Sequence, residues 1–440
     1  MSLDNKCPEC DREYYAWRWC ERCNSKHFHN NFDKWTSGNF AIDKFIQNGQ
    51  IDATNKDVVI EWIPYDRFKD VKQLSRGGFG TIHYARWMDG PIYNWDVENQ
   101  RWKRWGQCNV ALKKLNNNFA SLNEDFLNEI TIHLKARSDL ASIRIYGITQ
   151  DPETHKYIMV LGYMNGGNLR DYLTNNFNKI NWKLKLEYLK ELANDFEIIH
   201  KLDIIHKDFH PGNILSLNFK YSSKLYISDF GQSKLIKRDV KNPEKRQIFG
   251  VLPYIAPEVF CGEEYTKAAD VYSFGIIAYE IVTGISPFYD IPHDRDLARQ
   301  ICDGLRPKIP FYIPKSITRI IMRCWDARIT HRPTFLELYN ELWRYYKNYE
   351  ANNFKNNYEI TIQIENSEKL FKSHKSTNST IPIPMNYKTH PEAIYTSRLL
   401  DYSSLPKPKN DENFEKELKE LTKFTSALSI VASKLYVPNF

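Results

Sequence analysis

The pattern of hydrophobic and polar positions changes character within residues 68–346. Short runs with the alternation typical of strands, such as residues 81–85 and 109–112, come first and are separated by glycine-rich turns. Longer runs with helical spacing follow, for example in residues 181–202 and 268–283. Because strands precede helices along the chain, the pattern predicts an α+β fold with two lobes.

Segments of different composition flank this region. Residues 1–35 are polar and aromatic and carry two cysteine pairs, and residues 36–67 are predicted to be a linker. Residues 347–440 have the composition of a low-complexity tail, and we expect residues 366–412 within it to be solvated. Helical spacing returns in residues 412–436, which predicts an amphipathic helix that could dock on a partner.

Composition and charge limit the class of protein. Of 440 residues, 42% are hydrophobic and 26% charged, which excludes a wholly disordered chain. The net charge of +7 is modest and spread along the chain, so we do not expect a nucleic-acid partner. No apolar run reaches the roughly 18 residues of a membrane span, and the first residues lack the apolar segment of a signal peptide. Eight cysteines are too sparse for a disulfide scaffold, so a cytoplasmic protein is expected.

A glycine-rich stretch follows the first predicted strand of the central region. It contains Gly77, Gly78 and Gly80, where a backbone without side chains can approach a polyphosphate. Such a loop is a weak signal by itself. Further along, Lys113 ends an apolar strand, and Glu129 lies on the inward face of a predicted helix. An inward-facing Glu needs a partner, so we expect an ion pair between these two residues.

A second polar stretch carries the chemistry of the central region. Residues 206–213 read His-Lys-Asp-Phe-His-Pro-Gly-Asn, and Asp229-Phe230-Gly231 follows after another short apolar strand. Asn213 and Asp229 supply oxygen ligands that suit Mg²⁺. Asp208 is then available to accept a proton from an attacking hydroxyl group.

In this order, these residues resemble the eukaryotic protein kinases, and the resemblance covers about residues 68–346. It rests on the following matches: Gly77, Gly80, Lys113, Glu129, Asp208, Asn213, Asp229 to Gly231, and Ala256-Pro257-Glu258. Asp270 resembles the aspartate that braces the catalytic loop, and Arg332 resembles the arginine that pairs with Glu258. Cys324-Trp325 and the stretch from Arg332 to Phe335 are similar to tyrosine kinases and to the tyrosine-kinase-like group of Ser/Thr kinases.

The resemblance implies a two-lobed kinase fold, with a small antiparallel β lobe plus one helix and a larger, mainly helical lobe. It implies transfer of the γ-phosphoryl group of ATP, with Mg²⁺, to Ser or Thr hydroxyls of proteins in intracellular signalling. The implied catalytic residues are Asp208, Lys113, Glu129 and His210, and the implied Mg²⁺ ligands are Asn213 and Asp229. The implied nucleotide-binding residues are Leu74, Ser75, Gly77, Gly78, Gly80, Ile82, Ala111, Lys113, Leu161, Met164 and Leu215.

Several positions depart from the family pattern. Ser75 replaces the first glycine of the loop, and Lys207 replaces the arginine beside the catalytic aspartate. His210 and Val251 stand where Ser/Thr kinases usually carry Lys and Thr, so a Ser/Thr preference rests on the group resemblance alone. A Trp- and Arg-rich insertion, residues 87–107, is predicted to be a lengthened hairpin.

Three other functions fit parts of the sequence. An inert kinase-fold scaffold would require loss of Lys113, Asp208 or Asp229, and all three are present. A small-molecule phosphotransferase of the aminoglycoside-kinase type would share residues 206–213, but that family lacks the Asp270 and Arg332 elements. A zinc-dependent nucleic-acid binder would need stronger basic patches than this chain has.

The amino-terminal cysteines form two C-x2-C pairs separated by nine residues. They are Cys7, Cys10, Cys20 and Cys23. Two such pairs are typical of a tetrahedral zinc site, and a segment this short could scarcely fold without the metal. The spacing therefore predicts a structural zinc knuckle, with four free thiols as the alternative.

Overall fold

The computed structural model describes residues 6–14, 19–77, 80–115, 122–138, 141–221, 223–235, 248–351, 358–375, 387–402 and 405–423. The chain divides into two compact units, residues 1–164 and 165–440. The first unit is called the β lobe and the second the helical lobe. Within the described ranges, no helix is both long enough and apolar enough to cross a bilayer.

The β lobe is built on a six-stranded sheet with the order β1-β7-β8-β6-β3-β2. Its strands are β1 (Glu61–Trp62), β2 (Phe68–Gly77), β3 (Gly80–Trp87), β6 (Cys108–Leu115), β7 (Ile145–Gln150) and β8 (Tyr157–Gly162). Five of them pair antiparallel, as expected, but β1 pairs with β7 in parallel. The expected antiparallel lobe is therefore a mixed sheet, because the chain before β2 supplies an extra edge strand.

Alternation along the strands separates two faces of this sheet. Val110 and Leu112 of β6 and Ile158 and Val160 of β8 are buried on one face. They pack with Ala85 and Trp87 of β3 and with residues that precede it. Because successive side chains point to opposite faces, the residues between them lie on the other face. Helix α3 (Leu122–Ser138) contributes Phe126 and Ile130 to the buried interior.

The segment expected to be a linker is a folded part of the β lobe. After α1 (Glu21–His29), helix α2 (Phe40–Ile51) begins at Asn39, whose side chain accepts hydrogen bonds from two backbone N–H groups. Ile42 and Ile46 of α2 are completely buried. Their spacing of four residues places them on one helix face, which explains why a short apolar stripe suffices to anchor this helix.

The insertion forms a hairpin of β4 (Ile92–Asp96) and β5 (Arg101–Arg104), as predicted. The hairpin packs on the amino-terminal segment. The Trp102 ring stacks on Phe28 with centroids 4.2 Å apart, and Trp95 stacks on His27 at 3.9 Å. Trp19 is buried, and its indole N–H donates to the carbonyl oxygen of Ala53 at 2.9 Å. Aromatic residues of the cysteine segment thus pack on the hairpin and on α1's own side chains, while Trp17 lies outside the described residues.

Within the described residues, eight α-helices of the helical lobe lie before residue 376. They are α4 (Leu169–Asn176), α5 (Trp182–Lys201), α6 (Pro257–Phe260), α7 (Lys267–Thr283), α8 (Arg295–Cys302), α9 (Lys315–Cys324), α10 (Phe335–Glu350) and α11 (Glu359–Lys375). Helix α7 is buried from Ala269 to Thr283, which accounts for its nearly continuous apolar sequence. Helix α10 begins with a capping box between Thr334 and Glu337.

Short strands position the loops of the helical lobe. They are β9 (Ile204–Ile205), β10 (Ile214–Leu215), β11 (Tyr226–Ile227), β12 (Lys234–Leu235), β13 (Ile248–Gly250) and β14 (Arg398–Leu400). They form three antiparallel pairs, namely β10 with β11, β12 with β9, and β13 with β14.

The carboxy-terminal region contains ordered structure where composition favoured a solvated tail. Helix α11 buries Ile360 and Ile364, and strand β14 buries Leu400. This region has few apolar residues, but several of them occupy positions that face the lobe. Composition alone does not reveal such positions. A further helix covers residues 414–423 and buries Phe414, and the rest of the predicted amphipathic stripe, residues 424–436, lies outside the described residues.

Candidate active site

Four of the predicted nucleotide-binding residues share one face of the β-lobe sheet. Lys113 pairs with Ile82 on one side and Met159 on the other, and the neighbouring row contains Ala111 and Leu161. Directly paired residues point to the same face, so the lysine and the apolar side chains lie side by side. This face is opposite to the one that carries Val110 and Leu112.

The glycine-rich stretch forms the turn between β2 and β3. Gly77 pairs with Gly80, while Gly78 lies outside the described residues. A Cβ atom at Gly80 would lie 2.2 Å from the carbonyl oxygen of Lys114, so only glycine fits there. Before the turn, Ser75 pairs with Ile82, and Leu74 sits at a register shift with about half of its surface exposed (51%).

Lys113 and Glu129 form the expected buried ion pair. The Lys113 Nζ lies 2.5 Å from Glu129 Oε1, and both residues are buried. His133, one helical turn further along α3, places its Nε2 3.9 Å from the same oxygen. The helix therefore fixes the ammonium group on the same sheet face as Ile82 and Ala111.

His206 organises the loop that carries Asp208. Its Nε2 lies 3.0 Å from the carbonyl oxygen of Ser228, and its Nδ1 accepts a hydrogen bond from the Asp208 N–H. This pairing fits the neutral ring with the proton on Nε2. Burial lowers the pKa of His206, which favours the same form.

Asp270 braces the same loop, as the family resemblance implied. Its two carboxylate oxygens accept hydrogen bonds from the backbone N–H groups of His206 and Lys207, at 3.0 and 3.1 Å. His200 donates from Nε2 to Asp270 as well, at 3.0 Å. Three donors therefore hold one buried carboxylate in place and, through it, the backbone before Asp208.

The predicted Mg²⁺ ligands are positioned by the β10–β11 pair. Ile214 pairs with Ile227, which brings Asn213 beside Ser228, and the Ser228 N–H donates to the Asn213 carbonyl at 2.9 Å. The Asn213 side-chain amide donates from Nδ2 to the carbonyl oxygen of Asp208 at 2.9 Å. That bond fixes which end of the amide is the oxygen, so Oδ1 is the atom of Asn213 that could bind a metal ion. An amide oxygen and a carboxylate fit the donor set that Mg²⁺ prefers.

A second buried ion pair fixes the loop after β13. Arg332 donates two parallel hydrogen bonds to Glu258, at 2.6 and 2.7 Å, which confirms the implied pairing. Nearby, Arg170 donates to the Tyr254 hydroxyl at 2.9 Å, and Tyr254 hydrogen-bonds Glu280. The sequence reasoning missed the Arg170 network, and the only signal was a charged residue on the apolar side of α4.

A serine from the carboxy-terminal region lies on the predicted catalytic aspartate. The Ser397 hydroxyl donates to Asp208 Oδ2 at 2.6 Å, and His210 Nε2 lies 3.1 Å from the same hydroxyl oxygen. Since His210 Nδ1 accepts a hydrogen bond from the Gly212 N–H, the neutral ring carries its proton on Nε2 and donates it to Ser397. Nothing in the sequence around Ser397 distinguishes it from other tail serines.

The four amino-terminal cysteines form one cluster. Cys7 Sγ lies 3.8 Å from Cys23 Sγ, and Cys10 Sγ lies 3.7 Å from Cys20 Sγ. All four sulfur atoms lie within 4.8 Å of one another. Four sulfurs at Zn–S distances of about 2.3 Å in a tetrahedron would be separated by about 3.8 Å, so the cluster has the dimensions of a zinc site.

Comparison with known proteins identifies the central region. The model of the protein tyrosine and serine/threonine kinase family matches residues 68–342. The chain belongs to the protein kinase family. ATP and Mg²⁺ are the substrate and the metal ion that this family implies.

Individual relatives match over the kinase region. Dual specificity protein kinase pyk3 of Dictyostelium discoideum is 30% identical over 54% of this chain, and tyrosine-protein kinase SPK-1 of Girardia tigrina is 28% identical over 62%. "Probable serine/threonine-protein kinase roco5" of Dictyostelium discoideum is 34% identical over 64%. The chain matches 17%, 52% and 10% of the lengths of these three relatives. Relatives of this kinase domain are thus named for all three acceptor preferences.

Proposed function

We propose that this chain is an ATP-dependent protein kinase that phosphorylates Ser or Thr hydroxyls of protein substrates in cytoplasmic signalling. The observation that carries the proposal is the hydrogen-bonded set formed by Asp208, Asn213 and the Asp229 stretch. The Asn213 amide, the Ser228 backbone and the Asp270 carboxylate fix that set independently of any ligand. A site whose acid and ligand residues are held in place in this way is preorganised for phosphoryl transfer.

Each candidate residue receives a role in this proposal. Asp208 orients the acceptor hydroxyl and accepts its proton, and His210 donates a hydrogen bond to the acceptor oxygen. Asn213 and Asp229 hold Mg²⁺, which neutralises charge on the phosphates when it is bound. Lys113, held by Glu129, stabilises negative charge on the α and β phosphates.

The remaining candidates would bind the rest of the nucleotide. Gly77, Gly78 and Gly80, with Ser75, would present backbone N–H groups to the phosphates. The adenine ring would contact apolar side chains, and the backbone near Met164 would hydrogen-bond its edge. These apolar side chains are those of Leu74, Ile82, Ala111, Leu161 and Leu215.

The decisive experiment measures phosphoryl transfer by the purified chain with labelled ATP, Mg²⁺ and generic protein substrates. Phosphoamino-acid analysis then separates Ser and Thr from Tyr. We expect Asp208→Asn to lower turnover by about 10²–10⁴-fold, since proton transfer contributes that much, while nucleotide still binds. Asp203→Asn is the matched control, because this residue lies just before β9, is partly exposed and pairs with Lys267. Equal turnover in Asp208→Asn and wild type, or an inert wild-type chain that binds nucleotide, would refute the proposal.

We also propose that the cysteine cluster binds one structural Zn²⁺ ion. The sulfur separations and the grouping of all four sulfur atoms in one cluster favour a metal centre. Protein purified without added metal should contain about one zinc per chain by mass spectrometry. Cys23→Ser should lose it, whereas Cys108→Ser, which changes a cysteine outside the cluster, should retain it. Metal-free wild-type protein with four titratable thiols would contradict this proposal.

A further inference from the structure

Residues 387–402 follow an ordered course across the helical lobe. The Tyr387 hydroxyl accepts a hydrogen bond from the Ser286 N–H at 3.0 Å, and the Tyr395 hydroxyl donates to the Pro287 carbonyl at 2.9 Å. The Arg398 guanidinium hydrogen-bonds the carbonyl of His293. Contacts from both backbone and side chains therefore fix this segment, which we call the tail strand.

Part of the tail strand, β14, pairs with β13, which follows the Asp229 stretch in the chain. Strand β14 pairs antiparallel with β13, with Ile248 opposite Leu400, Phe249 opposite Leu399 and Gly250 opposite Arg398. Leu400 is buried, whereas about half of the Leu399 surface is exposed (47%). Strand addition of this kind is a common way of binding an extended peptide, in which backbone bonds give affinity and alternate side chains give specificity.

The register of this pairing places Ser397 directly on Asp208. The hydroxyl hydrogen points to Asp208 Oδ2, 2.6 Å away, and the His210 ring donates to the hydroxyl oxygen. A Cβ atom at Gly250 would lie 3.3 Å from Asp208 Oδ1, so the glycine lets β13 approach the aspartate closely. Nucleophile and base thus have the hydrogen-bond geometry that a general-base mechanism needs.

A partly buried arginine binds the backbone of the tail strand two residues before Ser397. Arg170 Nη1 donates to the Tyr395 carbonyl at 2.6 Å. The guanidinium also lies over the rings of Tyr254 and Tyr395, at 5.3 and 5.1 Å from their centroids. Arg170, which also binds the Tyr254 hydroxyl, thus connects a tail carbonyl to the lobe and supports a binding site for an extended peptide.

We propose that the tail strand is an internal acceptor peptide and that Ser397 is phosphorylated by the active site of its own chain. This inference rests on the proposed kinase function. The Ser397 oxygen attacks the γ-phosphorus of ATP, and the bond from that phosphorus to the β–γ bridging oxygen breaks. ADP leaves with the electron pair, and the hydroxyl proton passes to the Asp208 carboxylate.

Phosphorylation would change the occupancy of the peptide site. Before transfer, the tail strand occupies the position that a protein substrate needs, and it competes with that substrate. After transfer, Ser397 carries a charge of about −1.5 to −2 beside Asp208, and like-charge repulsion favours release of the strand. The same contacts define the substrate class of the site, which is a serine in an extended peptide with an apolar residue three positions later, as in Leu400.

The test uses the full chain with Mg²⁺ and ATP, and mass spectrometry to locate phosphate. Wild type should acquire phosphate on Ser397 at a rate per molecule that does not change with protein concentration. Ser397→Ala should lose this modification, while Thr396→Ala, which changes an exposed neighbour, should retain it. A rate that rises in proportion to protein concentration would overturn the intramolecular assignment.

Two leucine variants test docking of the tail strand. Leu400→Asp should slow Ser397 phosphorylation about tenfold or more, because a charged side chain cannot replace this buried leucine without loss of docking. It should also raise activity toward an added protein substrate. Leu399→Asp, at the exposed neighbouring position, should leave both rates near wild type.

Hydrogen exchange supplies a readout that does not depend on catalysis. Amides of residues 248–250 should be protected in wild type without ATP and should exchange faster in Leu400→Asp but not in Leu399→Asp. If added substrates are phosphorylated but Ser397 is not, this inference fails and the proposed function stands. If no protein is phosphorylated, both fail.

Discussion

Two non-glycine residues near the candidate site adopt left-handed backbone angles. Lys207 has φ of 68° and Asp229 has φ of 62°. Such angles cost about 1–3 kcal/mol each and persist where the surroundings fix them. Asp270 binds the Lys207 N–H, and the Gly231 N–H donates to Asp229 Oδ1 at 3.4 Å. The strain lies beside the two carboxylates that the proposed mechanism uses, as expected for a preorganised site.

Lys185 is a buried charge outside the candidate site. Its Nζ donates to the Val282 carbonyl at 3.0 Å and lies 4.0 Å from the centroid of the Phe177 ring. Burial lowers the pKa of Lys185 from its ordinary value of 10.5 to about 7, with Glu368 opposing the shift. The residue therefore favours its neutral form in the folded protein more than in the unfolded chain.

This shift predicts a pH dependence of stability. Between pH 7 and 10.5 the unfolded chain binds a proton that the folded protein has released, so stability rises with pH. Across this window, the free energy of unfolding of wild type should rise relative to that of Lys185→Met by at most about 1.4 kcal/mol per pH unit. Urea unfolding at several pH values measures the difference. Lys183→Met, at a half-exposed position of the same helix, should track wild type, and a Lys185→Met curve parallel to wild type would contradict the prediction.

At the scale of elements, the parallel pairing of β1 with β7 depends on one glycine. Gly147 pairs with Glu61, and a Cβ atom at Gly147 would lie 1.9 Å from the Glu61 carbonyl oxygen. Strand β1 has only two residues, Glu61 and Trp62, so it has few hydrogen bonds with which to resist such a clash. The edge of the sheet is therefore specified by a close backbone approach rather than by strand length.

Substitution of this glycine should detach β1. We expect Gly147→Ala to lower the free energy of unfolding by about 1–3 kcal/mol, the usual cost of overpacking, and to speed hydrogen exchange at Trp62 and Ile63. Gly162→Ala, in the adjacent strand β8, is the matched control, because its nearest neighbour would be 3.7 Å away. Equal losses of stability in the two variants would show that the close approach does not matter.

At the scale of the whole molecule, the cysteine segment, the hairpin and α2 form one part of the β lobe. Trp102 stacks on Phe28 and, at 6.2 Å, on Trp19. The aromatic contacts therefore connect the proposed zinc centre to the insertion between β3 and β6. The cysteine segment, which precedes the kinase domain, therefore packs on the insertion within that domain.

Removal of zinc should therefore change the environment of these tryptophan side chains. Structural zinc contributes about 10–16 kcal/mol to the folding of small zinc modules, so a strong chelator should unfold the structure around the four cysteines and expose the rings. We expect a red shift of tryptophan fluorescence that added Zn²⁺ reverses. Cys23→Ser should show the shifted spectrum without chelator, and Cys108→Ser should not. A chelator that strips the metal without changing the spectrum would argue against a structural role.

Residue order predicted most of the candidate site. The pairing of Lys113 with Glu129 follows from an inward-facing carboxylate, which is a local pattern. The roles of Asp270 and Arg332 follow from the family resemblance, and the structure confirms both. The linker and tail expectations did not anticipate α2 and β14, since a few apolar residues at helical or strand positions do not change average composition. The mixed sheet was also missed, because parallel pairing depends on a distant strand edge.

The sequence by itself supplied the candidates for nucleotide and Mg²⁺ binding, because the order of the motifs along the chain carries the resemblance to the protein kinases. Only the tertiary structure decided which hydroxyl lies on Asp208. Ser397 and Asp208 are 189 positions apart, and their contact depends on the register of β13 with β14. The register of two strands is fixed by their backbone hydrogen bonds and by the burial of side chains such as Leu400. Both depend on the whole folded lobe, because no local stretch of residues contains both strands.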